Sequence, residues 1–324
     1  MSYNIDTWLK LAAYTGGGLA IGLGSIGAAI GEGHTAAQAN QAISRRPDLS
    51  GEVFKSMLVG QAIAESAAIF ALVVSLVLLF TTPANATFAT VWALLAAGLS
   101  IGLGAIGSGV GAGFPAAEAC KGMVHQPSVS KRLTTNMLIG SAVCQTPSIF
   151  ALVIAFILLY TDTTSSPVWP TWAALFGAGL SAGLSAIGAG FGSGLVAGAS
   201  CEGIARQPRS AGTVTNSMLL GQAITQTTAI YGLLIAFILL FKPYQASEAI
   251  APAMALIGAG LCMGLGAIGP GIGEGVTAQS AIKWIARNPT EVGVITRSML
   301  VGMAVAESTG IYSMVIALIL LFVV

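Results

Sequence analysis

Long apolar stretches alternate with short polar turns along the chain, and this pattern occurs four times. Each repeat contains two apolar stretches that exceed the ~20 residues an α-helix needs to cross a bilayer. The second stretches of the four repeats read GQAIAESAAIFALVVSLVLLF, GSAVCQTPSIFALVIAFILLY, GQAITQTTAIYGLLIAFILLF and GMAVAESTGIYSMVIALILLF. The repeats divide near 1–83, 84–165, 166–245 and 246–324, at short connectors that contain prolines. The pattern predicts eight transmembrane helices in four tandem units.

A proline in the polar loop inside each repeat predicts where the first helix ends. These prolines are Pro47, Pro127, Pro208 and Pro289. Proline disfavours helical conformation at the residue before it, so each repeat should be a helix, a tight turn and a second helix. We therefore predict an all-α membrane protein of four tandem transmembrane hairpins.

Composition places the chain in a membrane and excludes some other classes. Hydrophobic residues make up 55% of the chain and charged residues 8%, with a mean hydropathy of +0.85. A soluble domain would carry about 25% charged residues. The net charge of +1 gives no indication of a nucleic-acid partner. The four cysteines share no metal-type spacing, so we interpret them as space-filling residues.

The basic residues predict how the hairpins are oriented. Most of them flank the loops inside the repeats, namely Arg45, Arg46, Lys55, Lys121, Lys131, Arg132, Arg206, Arg209, Lys283, Arg287 and Arg297. Only Lys10 and Lys242 lie towards the other side. Because cytoplasmic loops carry an excess of Lys and Arg, we expect all four loops to face the cytoplasm and both termini to face away from it.

Glycine-rich first helices predict a tightly packed inner layer. Gly22, Gly24 and Gly27 match a dinucleotide-binding fingerprint in spacing, but that motif needs a preceding strand in a soluble βαβ unit. Glycines three to five residues apart in an apolar helix instead allow backbones to approach closely. Two spans per repeat give every unit the same orientation, which favours neighbours packed around an axis. Further chains could extend such a row into a ring.

Two of the four second helices carry a carboxylate within their apolar run. The equivalent positions are Glu65, Gln145, Gln226 and Glu307, spaced by 80, 81 and 81 residues. The first helices carry their own acid in the same two repeats, at Glu32 and Glu274, where the other repeats have Ala112 and Ser193. Amides cannot alternate between an anion and a neutral form, so we interpret repeats two and three as structural spacers.

The spacing from the loop predicts that the two acids of a repeat face each other. Glu32 lies 15 residues before Pro47 and Glu65 lies 18 after it. At 1.5 Å per residue, each acid is about 22 Å from the loop, near mid-membrane. A charge there costs at least about 2.5–3.5 kcal/mol, so the pair should share a proton or bind a cation. A protonated pair that acts only as a hydrogen-bond clamp is the structural alternative.

Oxygen donors near Glu307 favour Na⁺ there. Val305, Ser308, Thr309 and Tyr312 surround the acid in sequence, and hard cations prefer several oxygen ligands. Of these three hydroxyl groups, repeat one has only that of Ser66. Ala67 and Phe70 stand where repeat four has Thr309 and Tyr312. The sequence therefore predicts Na⁺ at Glu307 and Glu274, with H⁺ as the alternative ion.

Each repeat resembles the c subunit, or proteolipid, of rotary F-, V- and Na⁺-type ATPases. The motifs that carry the resemblance are GPGIGEG, the loop ARNP and the helix VGMAVAESTGIYSMVIALILLF. The resemblance implies that Glu307 and Glu65 carry the ion, with Glu274 and Glu32 at the first-helix position. It assigns the remaining ligands to Val305, Ser308, Thr309 and Tyr312 in repeat four, and to Ile63 and Ser66 in repeat one.

The resemblance also implies partners and a non-catalytic role. A rotor ring would contain copies of this chain, either alone or together with single-hairpin c subunits. The ring would contact a stator a subunit, central-stalk subunits and membrane lipid. The residues expected to dock on the stalk are Arg45, Arg46, Pro47, Arg206, Gln207, Pro208, Arg287, Asn288 and Pro289. We expect no cofactor except the transported Na⁺ or H⁺, no ATP site in this chain, and the cytoplasmic membrane of a bacterium or archaeon. The rival interpretations are a structural proteolipid and a hairpin-built channel.

Overall fold

The computed structural model of the chain describes residues 4–81, 83 and 86–323, and the described part is helical with short connections. The helices are α1 (Ile5–Arg45), α2 (Ser50–Phe80), α3 (Phe88–His125), α4 (Ser130–Cys144), α5 (Thr146–Tyr160), α6 (Val168–Arg206), α7 (Ala211–Thr225), α8 (Thr227–Phe241), α9 (Ile250–Arg287) and α10 (Val292–Val323). They form eight spans long and apolar enough to cross a membrane. The predicted fold class, an all-α membrane protein with eight transmembrane helices, is confirmed.

Proline ends the first helix of every hairpin, as predicted. α1, α3, α6 and α9 each stop two residues before the loop proline. The proline then begins a short 3₁₀ turn at Pro47–Leu49, Pro127–Val129, Pro208–Ser210 and Pro289–Glu291. Proline has no N–H to donate and suits the first position of such a turn, so the loops are tight.

The connections between hairpins are short. Residues 161–167 join the second hairpin to the third, and residues 242–249 join the third to the fourth. The predicted boundary between 83 and 84, with Thr82 beside it, lies outside the described residues.

The helices form two layers. The first helices α1, α3, α6 and α9 pack side by side in one row. α2 lies in the groove between α1 and α3, α4 and α5 in the groove between α3 and α6, and α7 and α8 in the groove between α6 and α9. α10 packs on α9 and on the edge of α8. The second helices therefore cover one side of the row, with α10 at its end.

Glycines allow the first helices to approach within backbone contact. A Cβ added to any of three glycines would lie closer than 3.0 Å to the backbone of an isoleucine on the next first helix. The pairs are Gly27 with Ile106, Gly107 with Ile187, and Gly188 with Ile268. The same relation holds at three successive interfaces, so the repeat in sequence is a repeat in packing. The predicted tight inner layer is present.

The second helices of hairpins two and three are each interrupted, which differs from the single helix expected. The interruptions fall at Gln145 (φ −80°, ψ −15°) and Gln226 (φ −77°, ψ −18°). In hairpin two, Pro147 has no N–H to donate to the carbonyl of Val143, which loosens that turn. Nothing in the structure explains the interruption in hairpin three.

A polar contact ties three helices near the loops. The buried Asn136 on α4 donates to Ser200 Oγ on α6 at 2.9 Å and accepts from Thr215 Oγ1 on α7 at 2.7 Å. Buried amides are stable only when bonded, so this contact fixes the spacing of the second and third hairpins.

Candidate ion-binding sites

The structure brings together the two acids of each acidic hairpin. Glu274 on α9 and Glu307 on α10 are close enough for their carboxylates to repel each other, and the same is true of Glu32 and Glu65 on α1 and α2. The hairpin geometry produces this, because both acids of a pair stand at similar distances from the same loop proline. The arrangement places two like charges at one depth in an apolar protein.

Glu274 has no hydrogen-bond donor within the described part of the chain. Its side chain is fully buried, and both carboxylate oxygens are without a partner. An isolated ionised carboxylate is far too costly in such surroundings to persist without compensation. A proton or a small cation shared with Glu307 would satisfy it.

The partner of Glu307 comes from the preceding hairpin. Tyr231 on α8 donates its hydroxyl to Glu307 Oε1 at 2.6 Å. Thr227 lies beside that hydroxyl on the same helix. A short bond from a hydroxyl to a carboxylate is a charge-assisted hydrogen bond and holds the carboxylate in one orientation.

This contact comes from a different hairpin than the donors that the sequence groups with Glu307. Tyr312 and Val305 belong to the helix of Glu307, but they are 66% and 67% exposed at the end of the row. Helical geometry gives the reason, since residues five apart lie about 140° apart around the axis. Ser308 and Thr309 hydroxyls donate to carbonyls of their own helix, at Val305 (2.7 Å) and Ala306 (3.1 Å).

The second helices therefore have two polar faces. At the three contacts between described hairpins, one face carries the acid or amide and meets the preceding hairpin, and the other carries a hydroxyl or carbonyl and meets the following one. In the sequence, TTAIY in hairpin three aligns with STGIY in hairpin four, so Tyr231 stands at the same position as Tyr312. Combining that alignment with helical periodicity would have identified it.

The amides of the spacer hairpins donate to the carbonyl positions where the resemblance places a cation ligand. Gln145 Nε2 donates to the carbonyl of Ile63 at 2.9 Å, and Ile63 aligns with Val305. Gln226 Nε2 donates to Ser193 Oγ at 2.6 Å and to the carbonyl of Val143 at 3.4 Å. Ser193 aligns with Glu274, so both amides have an N–H group where an acidic hairpin could hold a cation.

Hairpin one presents a carbonyl acceptor to hairpin two. Ser66 Oγ donates to the carbonyl of Ile63 at 2.6 Å, the same carbonyl that Gln145 contacts. The Ile63 carbonyl therefore faces hairpin two. Glu65 itself is exposed, and its carboxylate has no hydrogen bond to any described residue.

The metal-ligand chemistry is limited to carboxylates and hydroxyls. Among the described residues, no group of three or more His, Cys, Asp or Glu side chains could hold a metal ion. The Glu274 and Glu307 pair with Tyr231 is an oxygen-only set, which suits a hard cation or a proton.

The loops expected to dock on a stalk are exposed. Arg45, Arg46 and Pro47 are exposed in the first loop, and Arg46 pairs with Asp48 at 2.7 Å. In the other predicted loops, Arg206, Arg287 and Asn288 are exposed, whereas Gln207, Pro208 and Pro289 are partly buried.

Four tandem hairpins with membrane-long apolar helices define an integral, multi-pass membrane protein. The chain belongs to the ATP synthase C subunit family, whose model matches it four times, at residues 15–78, 95–158, 176–239 and 257–320. As a member of that family it is a rotor-ring subunit of a rotary ATPase.

Two relatives illustrate the match. The chain is 32% identical over 228 residues to the K subunit of the A-type ATP synthase of Methanocaldococcus jannaschii, and the match covers 70% of this chain and 94% of the relative. It is 60% identical over 68 residues to the ATP synthase c subunit of Thermotoga petrophila, and that match covers 21% of this chain and 80% of the relative. The four repeats are thus fused copies of the family's hairpin.

Proposed function

We propose that this chain carries Na⁺ or H⁺ across the membrane on Glu307 and Glu65 as the rotor ring turns. The observation that supports this most directly is the fully buried carboxylate of Glu274, which has no donor among the described residues and lies against Glu307. The pair is stable in hydrocarbon only when a bound cation or proton cancels its charge. Loading the ion and losing the charge would therefore be one event.

Na⁺ is the ion we propose at Glu307. Tyr231 holds one carboxylate oxygen, which leaves Glu274, the second oxygen of Glu307 and the hydroxyl of Thr227 as candidate ligands. The carbonyl of Ile224, which aligns with Val305, lies on the same face of hairpin three. A proton would need only one of the two carboxylates.

Glu307→Gln tests the proposal. Combined with Glu65→Gln, it would remove both negative charges but keep the side-chain shapes, so ion transport by the assembled complex should collapse. Glu248→Gln, an exposed change in the connector between hairpins three and four, is the matched control and should leave transport unchanged. Transport that survives the double change would instead support a structural proteolipid.

Labelling by a hydrophobic carbodiimide distinguishes the ions. The reagent modifies protonated carboxyl groups in apolar surroundings, so a Na⁺ site is protected by its ion. We expect Na⁺ to slow the labelling of Glu307. Labelling that ignores Na⁺ but depends on pH would assign H⁺.

The remaining partners are proposed from family membership. A stator a subunit would deliver and receive the ion, and an arginine there would displace it from the carboxylate. The exposed residues Arg45, Arg46, Arg206 and Arg287 would dock the loops on the central stalk, which places the loops in the cytoplasm.

Two acidic hairpins in four favour a pump. A ring of such chains moves half as many ions per turn as a fully acidic ring of equal size. Fewer ions per ATP can each be moved against a steeper gradient, so we propose that ATP hydrolysis drives transport. Net ATP synthesis at ordinary gradients, with this chain as the only ring subunit, would contradict this.

A channel through the chain has little support from the packing. The first helices contact one another through glycine backbones, and that layer contains Gly, Ala and Ile more than polar residues. Single-channel currents from the purified chain alone would favour the channel interpretation.

A further inference from the structure

We infer that the groove between α4 and α7 binds the headgroup of an anionic phospholipid, one for each chain. The groove lies beside the loops of the two spacer hairpins, on the side of the second helices. It takes no part in the proposed ion transport, so the inference goes beyond the proposed function. The ligand class is a negatively charged phosphate diester that carries two acyl chains.

The groove contains a cavity of about 470 Å³ with basic, polar and apolar walls. This volume is within the range of about 300–1,000 Å³ that is typical of ligand pockets. The residues that line it are Lys131, Arg132, Thr135, Asn136 and Ile139 of α4, Ile204 of α6, and Ala211, Gly212 and Thr215 of α7. Lys131, Arg132 and Thr135 are exposed, so a ligand can enter from outside the chain.

The two cations of this cavity have no carboxylate partner. Neither Lys131 nor Arg132 forms an ion pair within the described part of the chain, whereas Lys121 and Arg206 each pair with a glutamate. Arg132 Nη1 donates to the carbonyl of Pro208 at 3.3 Å, so the guanidinium spans from α4 to the turn that precedes α7. A guanidinium has five N–H groups in a planar fork, and a phosphate can accept from two of them at once.

The depth of the cavity matches the phosphate level of a bilayer. Gln145 aligns with the acids that the sequence places near mid-membrane, and Arg132 lies 13 residues before it. At about 1.5 Å per residue, Arg132 stands about 20 Å from mid-membrane and Ile139 about 9 Å. The hydrocarbon core extends about 15 Å to each side, and the headgroups reach about 20–22 Å. The cations therefore lie among headgroups, and the other end of the cavity lies among acyl chains.

Apolar side chains continue the groove towards mid-membrane, which favours a lipid over a free anion. Ile139 lines the cavity, and Leu138, Leu219 and Leu220 at the same level of α4 and α7 are also exposed. Acyl chains would remove this apolar surface from any contact with water or headgroups. A soluble anion such as inorganic phosphate would gain nothing from it.

The two aligned grooves lack this combination of charges. Between α2 and α4, a cavity of about 350 Å³ has Glu52 at the position of Arg132, so the basic side chains there face a carboxylate. Between α7 and α10, Thr213 stands at the same position. These differences leave one groove in each chain whose lining residues include two cations and no acid.

Lipid retention by the intact ring tests the inference. Rings are reconstituted in vesicles of phosphatidylglycerol and phosphatidylcholine in equal amounts and extracted in detergent, and their bound lipids are counted by native mass spectrometry. We expect Lys131→Gln with Arg132→Gln to remove one phosphatidylglycerol for each 32.6 kDa chain and to leave the count of phosphatidylcholine unchanged. In a lipid titration, the loss of two basic residues should weaken the binding of phosphatidylglycerol roughly thirtyfold.

Two further variants serve as the matched control and the converse change. Lys55→Gln with Arg297→Gln removes the same number of positive charges from hairpins one and four, and this ring should keep the full count of phosphatidylglycerol. Glu52→Arg gives the groove between α2 and α4 the same pair of cations, because Lys131 also lines that groove. We expect Glu52→Arg to add a second phosphatidylglycerol for each chain.

Several outcomes would overturn the inference. These are an unchanged phosphatidylglycerol count after Lys131→Gln with Arg132→Gln, an equal loss of both lipids, or no gain after Glu52→Arg in a ring that assembles. Inorganic phosphate in excess should not displace the lipid, and complete displacement would assign a free anion to the groove instead. The counts do not depend on whether Glu65 and Glu307 carry ions, so failure of this inference is distinguishable from failure of the proposed function.

Discussion

Restoring an acid in a spacer hairpin should create a third ion-carrying position. Gln226 is buried, and its amide donates to Ser193 Oγ at 2.6 Å and to the Val143 carbonyl at 3.4 Å. Gln226→Glu keeps the size of the side chain but removes the N–H group. An ionised carboxylate only accepts hydrogen bonds, so it would face the Val143 carbonyl with no donor between them.

The magnitudes indicate that the introduced carboxyl stays neutral. An ionised side chain at this depth costs about 2.5–3.5 kcal/mol, which is a ~70- to 400-fold preference for neutralisation. In the protonated form one O–H replaces one of the two hydrogen bonds, so the loss is only about 0.5–1.5 kcal/mol. The ring should therefore assemble, with a proton or cation on the new group.

Carbodiimide labelling followed by mass spectrometry measures this. The carboxyl introduced by Gln226→Glu should be labelled at least about tenfold faster than Glu248, which is exposed in the connector after α8. Gln245→Glu in the same connector controls for the mere addition of a carboxylate, and its group should react as slowly as Glu248.

Equal labelling rates at the introduced group and at Glu248, in a ring that assembles normally, would refute this reasoning. Equal rates would show that water reaches position 226. They would also show that the Gln226 amide does not occupy the place of a neutralised carboxyl group.

Three further changes probe packing and polar contacts. Gly107→Ala should lower ring stability by about 1–3 kcal/mol in thermal dissociation, because the added Cβ overlaps Ile187, whereas Gly212→Ala in open space should not. Asn136→Ala should cost about 1–3 kcal/mol in the same measurement, since Ser200 and Thr215 lose their partner, with exposed Thr135→Ala as control. Glu202→Gln should change stability by less than about 1 kcal/mol, because its ion pairs with Arg206 and Lys283 are partly exposed; a larger loss would contradict the weak role assigned to them.

The hairpin architecture could be predicted from the sequence because its determinants are local. Length and hydropathy fix the spans, and a loop proline such as Pro47 fixes where a first helix ends. The glycine spacing indicated close helix contacts, and similar distances from Pro289 indicated that Glu274 lies near Glu307. Each of these depends on residues within one hairpin.

The composition of the sites could not be assigned to single hairpins, because each site lies between two of them. Tyr312 is five residues from Glu307, but the helix turns it about 140° away, towards a neighbour. The structure instead gives Glu307 the hydroxyl of Tyr231. Glu65 has the same acid and the same loop spacing, yet it is exposed because no described hairpin precedes it.

Span length, proline and helical rise act over a few turns, so residues within one hairpin specify which helices form and where the acids lie along them. Packing between hairpins sets which hairpin contacts which acid, and that Gln145 and Gln226 direct an N–H at a neighbour's oxygen. The physical reason is that a helix presents opposite faces to its two neighbours, so a site's ligands are set by packing order rather than by proximity along the chain.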